Sequence, residues 1–191
     1  MIGIPFLAGE AVFTVIWFII RACICAKNGF DIKREILMIL MYINLAVLLR
    51  VTFFPMEEIN GRVQPLLFEP DKITPLRVNL VPLVHILEYE NRKDVLMNII
   101  GNVTMFIPSG IILPILYRKL DSFVKVTAAG AAMSLCIEIM QLPFAVRASD
   151  IDDLILNTSG VMTGYIIYAA VYGLIRTLRS GRHYYKDSIH G

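Results

Sequence analysis

The sequence predicts an all-α polytopic membrane protein, a bundle of about five transmembrane helices with the N-terminus outside and the C-terminus cytoplasmic. Three observations predict it. Hydrophobic residues make up 57% of 191 positions and the mean hydropathy is +0.65, more apolar matter than a soluble domain of this length hides around one core. Apolar windows of about 20 residues, enough to cross a bilayer, recur at 4–26, 35–54, 95–117, 122–142 and 151–175. Basic residues gather at alternate connections: Arg21, Lys27, Lys33 and Arg34 at the first, Arg118, Lys119 and Lys125 at the third, and Arg176, Arg179, Arg182 and Lys186 in the tail. Short cytoplasmic loops retain Lys and Arg, so these connections belong inside. Few residues remain outside the windows, and 1–191 reads as a single integral membrane domain without repeats.

The first window is too long for the apolar part of a secretory signal, and no Lys or Arg precedes it, so it reads as a retained span. It carries Glu10, whose partner the sequence does not assign. The second holds Arg50 about one turn from its outer end, placed either to turn into the bundle or to snorkel to headgroups. An outer connection, 55–94, follows. Pro65, Pro70, Pro75 and Pro82 favour an ordered but irregular path through it. Within it "VNLVPLVHIL", 78–87, is too short to span and suits an interfacial or re-entrant segment over the polar groups described next.

The third window opens with "VLMNIIGNVTMFIPSG", 95–110, which puts Asn98 and Asn102 one turn apart with Ser109 on a similar face. Amides in lipid need partners, so this face should turn inward. Pro108 and Gly110 disturb the helix beyond it and free carbonyls that a neighbour must satisfy. In the fourth window Thr127, Ala131, Ser134, Glu138 and Gln141 share a stripe, with Gly130 among the alanines that keep the helix thin. In the fifth, Asp153, Asn157, Gly160 and Gly164 are spaced 4, 3 and 4 apart, again one stripe. Its lower part is a GxxxG, which lets backbones approach closely in lipid. These last two helices are expected to pack antiparallel by their small residues, Gly130, Ser134, Gly160 and Gly164. That arrangement brings Glu138 and Gln141 towards Asp150, Asp153 and Asn157. Asp152 lies off the stripe and reads as a boundary residue.

An ionised carboxylate in mid-span costs about 2.5–3.5 kcal/mol on insertion scales, against roughly 0.3–0.6 recovered per Leu or Ile. Even nearer the interface Glu138 therefore has reason to seek a partner. Arg147, in the bend between the last two windows, is the nearest candidate. The expected result is an outward-facing polar pocket lined by Asn98, Asn102, Glu138, Gln141, Arg147, Asp150, Asp153 and Asn157, with Arg50 a further candidate. Other chemistries find little support. The net charge of +2 gives no case for a nucleic-acid partner. Cys23, Cys25 and Cys136 sit within spans, and His85, His183 and His190 lack ligand spacing, so neither a metal nor a cofactor is expected.

Several of these motifs occur together elsewhere. "TFFP" at 52–55, "NLVPL" at 79–83, "NIIGNVTMFIPSG" at 98–110, "IEIMQ" at 137–141, Arg147 and "DIDDLILNTSGVMTG" at 150–164 stand in the order seen in the VanZ-like membrane proteins. The chain resembles that family over about 50–165. It departs at Ser109, where a bulkier apolar residue is common, and in "PFAVRASD", which lacks a glycine often found before the arginine. The resemblance implies a multi-pass protein of the cell membrane that reduces susceptibility to teicoplanin-type glycopeptides, antibiotics directed at cell-wall precursors. It implies no settled mechanism.

The first functional reading is a protein that binds a polar headgroup, either a lipid-linked wall precursor or the lipoglycopeptide itself. Arg147 would hold a phosphate or carboxylate through its planar fork, while amides and acids take hydroxyls and amines. The alternative is a membrane enzyme that modifies a lipid-linked substrate, with Glu138 or Asp153 as general base and a divalent cation at the acids. Against it, the chain has no Ser/His pairing, no HExxH and no phosphate loop. A small transporter ranks behind both, because the inner halves of the last two helices are Ala, Gly, Val and Ile, where a pathway needs polar groups.

Overall fold

The computed structural model describes residues 2–54, 58–59, 62–69, 78–79, 81–82, 91–144 and 149–187. Five helices carry the fold: α1 (Phe6–Asn28), α2 (Ile32–Phe53), α3 (Arg92–Leu116), α4 (Phe123–Gln141) and α5 (Ile151–Asp187). Each is long and apolar enough to cross a membrane, α5 over Ile151–Arg179. α5 runs well past the expected end at 175, because nothing in "GLIRTLRSGRHYYKD" breaks a helix once its apolar stretch is spent.

Local chemistry sets the helix ends. Asp31 and Asn91 each accept the backbone N–H two residues on, at 3.0 Å, and start α2 and α3. Ser122 does the same for the Lys125 N–H at the head of α4. α1 stops at Gly29, whose φ of 83° lets its N–H return to the Cys25 carbonyl at 2.9 Å.

Helices α2 to α5 form the packed body. Gly110, Gly160 and Gly164 place α3 and α5 backbone to backbone. A Cβ on Gly110 would stand 2.1 Å from the Val161 carbonyl oxygen, one on Gly164 2.1 Å from that of Ile107, and one on Gly160 2.2 Å from that of Val103. The glycine pair of α5 thus turns to α3 rather than to α4 as expected, because α3 offers a glycine of its own at the meeting point. Gly130 of α4 does face α5, where a Cβ would come within 2.6 Å of the Val161 side chain. Phe106, Val126 and Val161, fully buried, join Leu48 to close the centre. Asn44 of α2, buried, ties the proline-bearing helix in place: it donates to the Met105 carbonyl at 2.9 Å and accepts from the Ser109 hydroxyl at 2.6 Å.

α1 is peripheral, with 6% of its apolar window buried against 33% for α3. It leans on α2 through Phe13 stacked on Tyr42 at 5.7 Å, with Trp17 beside them, and through a 2.8 Å hydrogen bond between the Thr14 and Tyr42 hydroxyls. At its far end Arg21, buried, forms a two-pronged ion pair with Glu35. Val12, Val15, Ile16, Ile19 and Ile20 are more than half exposed. Such a surface belongs against acyl chains.

The fold is not purely helical. Strand β1 (Ile2–Ile4) pairs antiparallel with β4 (Leu66–Phe68), β2 (Glu58–Ile59) with β3 (Arg62–Val63), and β5 (Val78–Asn79) runs parallel to β6 (Ser149–Asp150). Ile4, expected to open the first helix, is a strand residue because Pro5 provides an extended entry and α1 starts after it. The strands cap the end of the bundle where α2 stops and α3 begins. Phe53, Phe54 and Leu66 are buried beneath the cap, with Phe6 edge-on to Phe54 at 5.2 Å. Phe144, after α4, meets Phe53 and Phe68 edge-on and bridges the Phe68 backbone. Of the expected interfacial segment 78–87, only 78–79 and 81–82 lie within the described residues, and 78–79 are strand.

Candidate functional site

Below that cap lies a cavity of about 210 Å³, lined from α2 by Val51 and Thr52, from α3 by Met97, Asn98, Gly101, Asn102 and Met105, from α4 by Glu138 and Gln141, and from α5 by Asp153 and Asn157. Six of the eight residues expected in a polar pocket thus share one space. Their periodicity explains it: residues three and four apart fall on one helix face, and the small residues one or two turns on pull those faces together.

The polar groups are cross-linked between helices. The Asn102 amide nitrogen donates to Asp153 Oδ1 at 2.7 Å, and to Asn98 Oδ1 at 3.4 Å. Gln141 Nε2 donates to the Thr52 carbonyl at 2.6 Å, joining α4 to α2. Asn157 Nδ2 donates to Ser134 Oγ at 2.9 Å, a wholly buried link between α5 and α4. Ser134, read as a packing residue, is therefore also a polar contact. Glu138 is 3% exposed, and its Oε2 accepts the Asp150 N–H at 2.9 Å. A carboxylate that accepts a backbone N–H at a helix start is favourably placed.

Asp150 stands beside the cavity rather than in its wall. Its Oδ1 accepts from Asn79 Nδ2 at 3.2 Å and from the Asp152 N–H at 3.0 Å, so the parallel strand pair and the head of α5 are tied together there. Asp152 is 3% exposed, not the solvated boundary residue expected from its position off the stripe. Its backbone N–H is tied to Asp150 of the strand that precedes α5, and helical periodicity carries no sign of that strand. Arg147 lies outside the described residues. Arg50 is not in the cavity wall: it donates to the Phe54 carbonyl at 3.2 Å and sits over the Phe6 ring at 5.3 Å. Glu10 Oε2 is buried without a hydrogen-bond partner among the described residues. Thr52 was missed by sequence reading, since "TFFP" signals a helix end and not a contact.

One turn further into the bundle the lining becomes apolar on three helices at once, with Leu48 after Thr52, Phe106 after Asn102 and Val161 after Asn157, all buried. These three belong to one buried apolar cluster beneath the polar lining. Among the described residues no three His, Cys, Asp or Glu side chains gather as a metal site would require. The two carboxylates in the wall, with the amides around them, can bind, orient and accept protons from a polar group of modest size.

Comparison with known proteins bears on what that group is for. The model of the VanZ/LLP1 family matches residues 37–174, which takes in most of α2 and of α5, all of α3 and α4 and the whole cavity, and leaves out α1. Protein VanZ of Enterococcus faecium is 39% identical over 69 residues, a stretch covering 36% of this chain and 42% of that protein. No solved structure matches the chain.

Proposed function

The chain belongs to the VanZ/LLP1 family of multi-pass membrane proteins, and from that premise we propose that it lowers susceptibility to teicoplanin-type glycopeptides by holding a polar headgroup in the cavity. The headgroup belongs to a lipid-linked wall precursor or to the lipid-anchored antibiotic. One observation supports this above the others: side chains from four helices converge on a single polar space at the end of the bundle that the charge distribution assigns to the outside. Burying that many amides and acids within spans is costly unless they serve a ligand or one another. The apolar floor favours holding over passage.

The test is genetic first. Glu138→Gln, Arg147→Ala and Asp153→Asn should each abolish the resistance phenotype at normal membrane abundance. Full resistance in all three would end the proposal. Binding of the purified protein in nanodiscs to teicoplanin, to vancomycin and to a lipid-linked precursor, with Arg147→Ala alongside, then separates antibiotic capture from precursor binding.

A further inference from the structure

At the end of the bundle opposite the polar cavity, the glycine seam of α3 and α5 opens into a groove of about 640 Å³. Its walls are apolar, with Ile111 and Ile115 on α3 and Ile167, Val171 and Ile175 on α5. The sequence explains the opening: beyond Gly110 and Gly164 the two facing stripes change from glycine to branched and aromatic side chains, which hold backbones apart. α3 then stops at Leu116 while α5 continues. Val171 and Tyr172 are left more than half exposed, and Tyr168 and Tyr172 stack at 5.9 Å along one wall. The rim is basic. Arg118, on the short helical turn after α3, stands in the wall, and Arg176 and Arg179 follow Tyr172 and Ile175 by one turn on the same rows of α5. All three are exposed, and among the described residues none of them forms an ion pair. Asp121, the acid in the wall, lies with the Tyr165 and Tyr168 hydroxyls.

We propose that this groove holds one anionic phospholipid, with an acyl chain between α3 and α5 and the phosphate at Arg118. The site is separate from the polar cavity and does not rest on the function proposed for it. Its length agrees with a lipid: from Ile167 to Ile175 the wall runs about 12 Å at 1.5 Å per residue, against about 15 Å for one leaflet's share of the hydrocarbon core. Charge replaces apolar residues at Arg176, the depth at which a lipid turns from chain to headgroup. A volume of about 640 Å³ falls within the roughly 300–1,000 Å³ of pockets that enclose most of a ligand, so the chain is seated rather than laid against a flat helix face. Guanidinium groups take phosphate through paired N–H bonds. Basic pockets between spans, on the side that the basic connections assign to the cytoplasm, recruit anionic headgroups. A zwitterionic lipid brings a cation of its own to the same basic rim and is disfavoured there.

The full chain, purified in a neutral detergent, is offered equimolar phosphatidylglycerol, phosphatidylethanolamine and phosphatidylcholine with identical acyl chains, and native mass spectrometry reads the lipid retained. Phosphatidylglycerol should be retained at least about fivefold over phosphatidylcholine, the preference that one basic contact supplies. Arg118→Gln should lower its retention about fivefold. Arg118→Lys, which keeps the charge, should preserve the preference for the anion, and helical circular dichroism checks the fold of each variant. Val171→Trp fills the groove and should abolish retention of the first lipid, whereas Val15→Trp, on the exposed face of α1, should not. Soluble glycerol phosphate should fail to displace the lipid, since it brings no chain. Equal retention of phosphatidylglycerol and phosphatidylcholine, unchanged retention in Arg118→Gln or Val171→Trp, or displacement by glycerol phosphate would overturn the proposal. So would a dimer of the chain that Val171→Trp dissolves, because the groove would then belong to a second copy.

Discussion

Gly164→Ala is the sharpest perturbation of the packing that holds the cavity together. A methyl added there meets the Ile107 carbonyl oxygen at 2.1 Å and the Gly110 Cα at 2.9 Å. A relaxed carbon–oxygen contact is about 3.3 Å, so α3 and α5 must part locally by about 1.2 Å. The obstacle is backbone on both sides, and no side chain can swing away to absorb it. Overpacking of this kind costs about 1–3 kcal/mol, partly offset by the roughly 1 kcal/mol by which alanine exceeds glycine as a helix former. Equilibrium unfolding in mixed micelles titrated with SDS, followed by helical circular dichroism, measures the net loss. Gly173→Ala is the control, because a Cβ there finds nothing within 4 Å. The Asn102–Asp153 bond at 2.7 Å spans the same two helices, so separation should also lower resistance at equal membrane abundance. Gly164→Ala within 0.5 kcal/mol of the control, and with full resistance, would refute the claim that backbone contact sets the geometry of the site.

Asn44→Ala leaves the Ser109 hydroxyl and the Met105 carbonyl without their buried partner and should destabilise by about 1–3 kcal/mol in the same titration. Arg21→Gln and Glu35→Gln should each destabilise, and the double variant should lose less than the two losses taken together, because the partners of one ion pair are coupled. A cysteine at 147, in a chain with Cys23, Cys25 and Cys136 replaced by serine, should react with an impermeant maleimide added outside intact cells. Labelling only after the cytoplasmic face is opened would reverse the orientation read from the basic residues.

Much of this architecture was legible in the sequence, for a physical reason. A bilayer demands about 20 apolar residues per crossing, so five windows gave five helices whose ends shift by a few residues, with α5 the exception. The polar stripes were legible as well: Asn98/Asn102, Glu138/Gln141 and Asp153/Asn157 are each one turn apart, and periodicity alone puts each pair on one face. Which helix a face meets is not local information. The glycines of α5 chose Gly110 of α3, a residue that read as a disturbance beside Pro108. Asn44 escaped notice because a lone amide in an apolar run has no pattern, though it is the residue that braces α3. The strands escaped because two or three residues carry no periodicity. Their pairing joins positions as remote as Ile2 and Phe68, and with them went the burial of Asp152.

The glycine seam between α3 and α5 also decides how the site can move. With carbonyls and Cα atoms in direct contact there is no layer of side chains to slide or repack, so those two helices behave as one rigid strut carrying Asn98, Asn102, Asp153 and Asn157. If the cavity holds a headgroup as proposed, the widening that admits it falls to α2 and α4, which contribute Thr52, Glu138 and Gln141. Across the cavity they are joined by the Gln141–Thr52 bond, so that bond would have to part first.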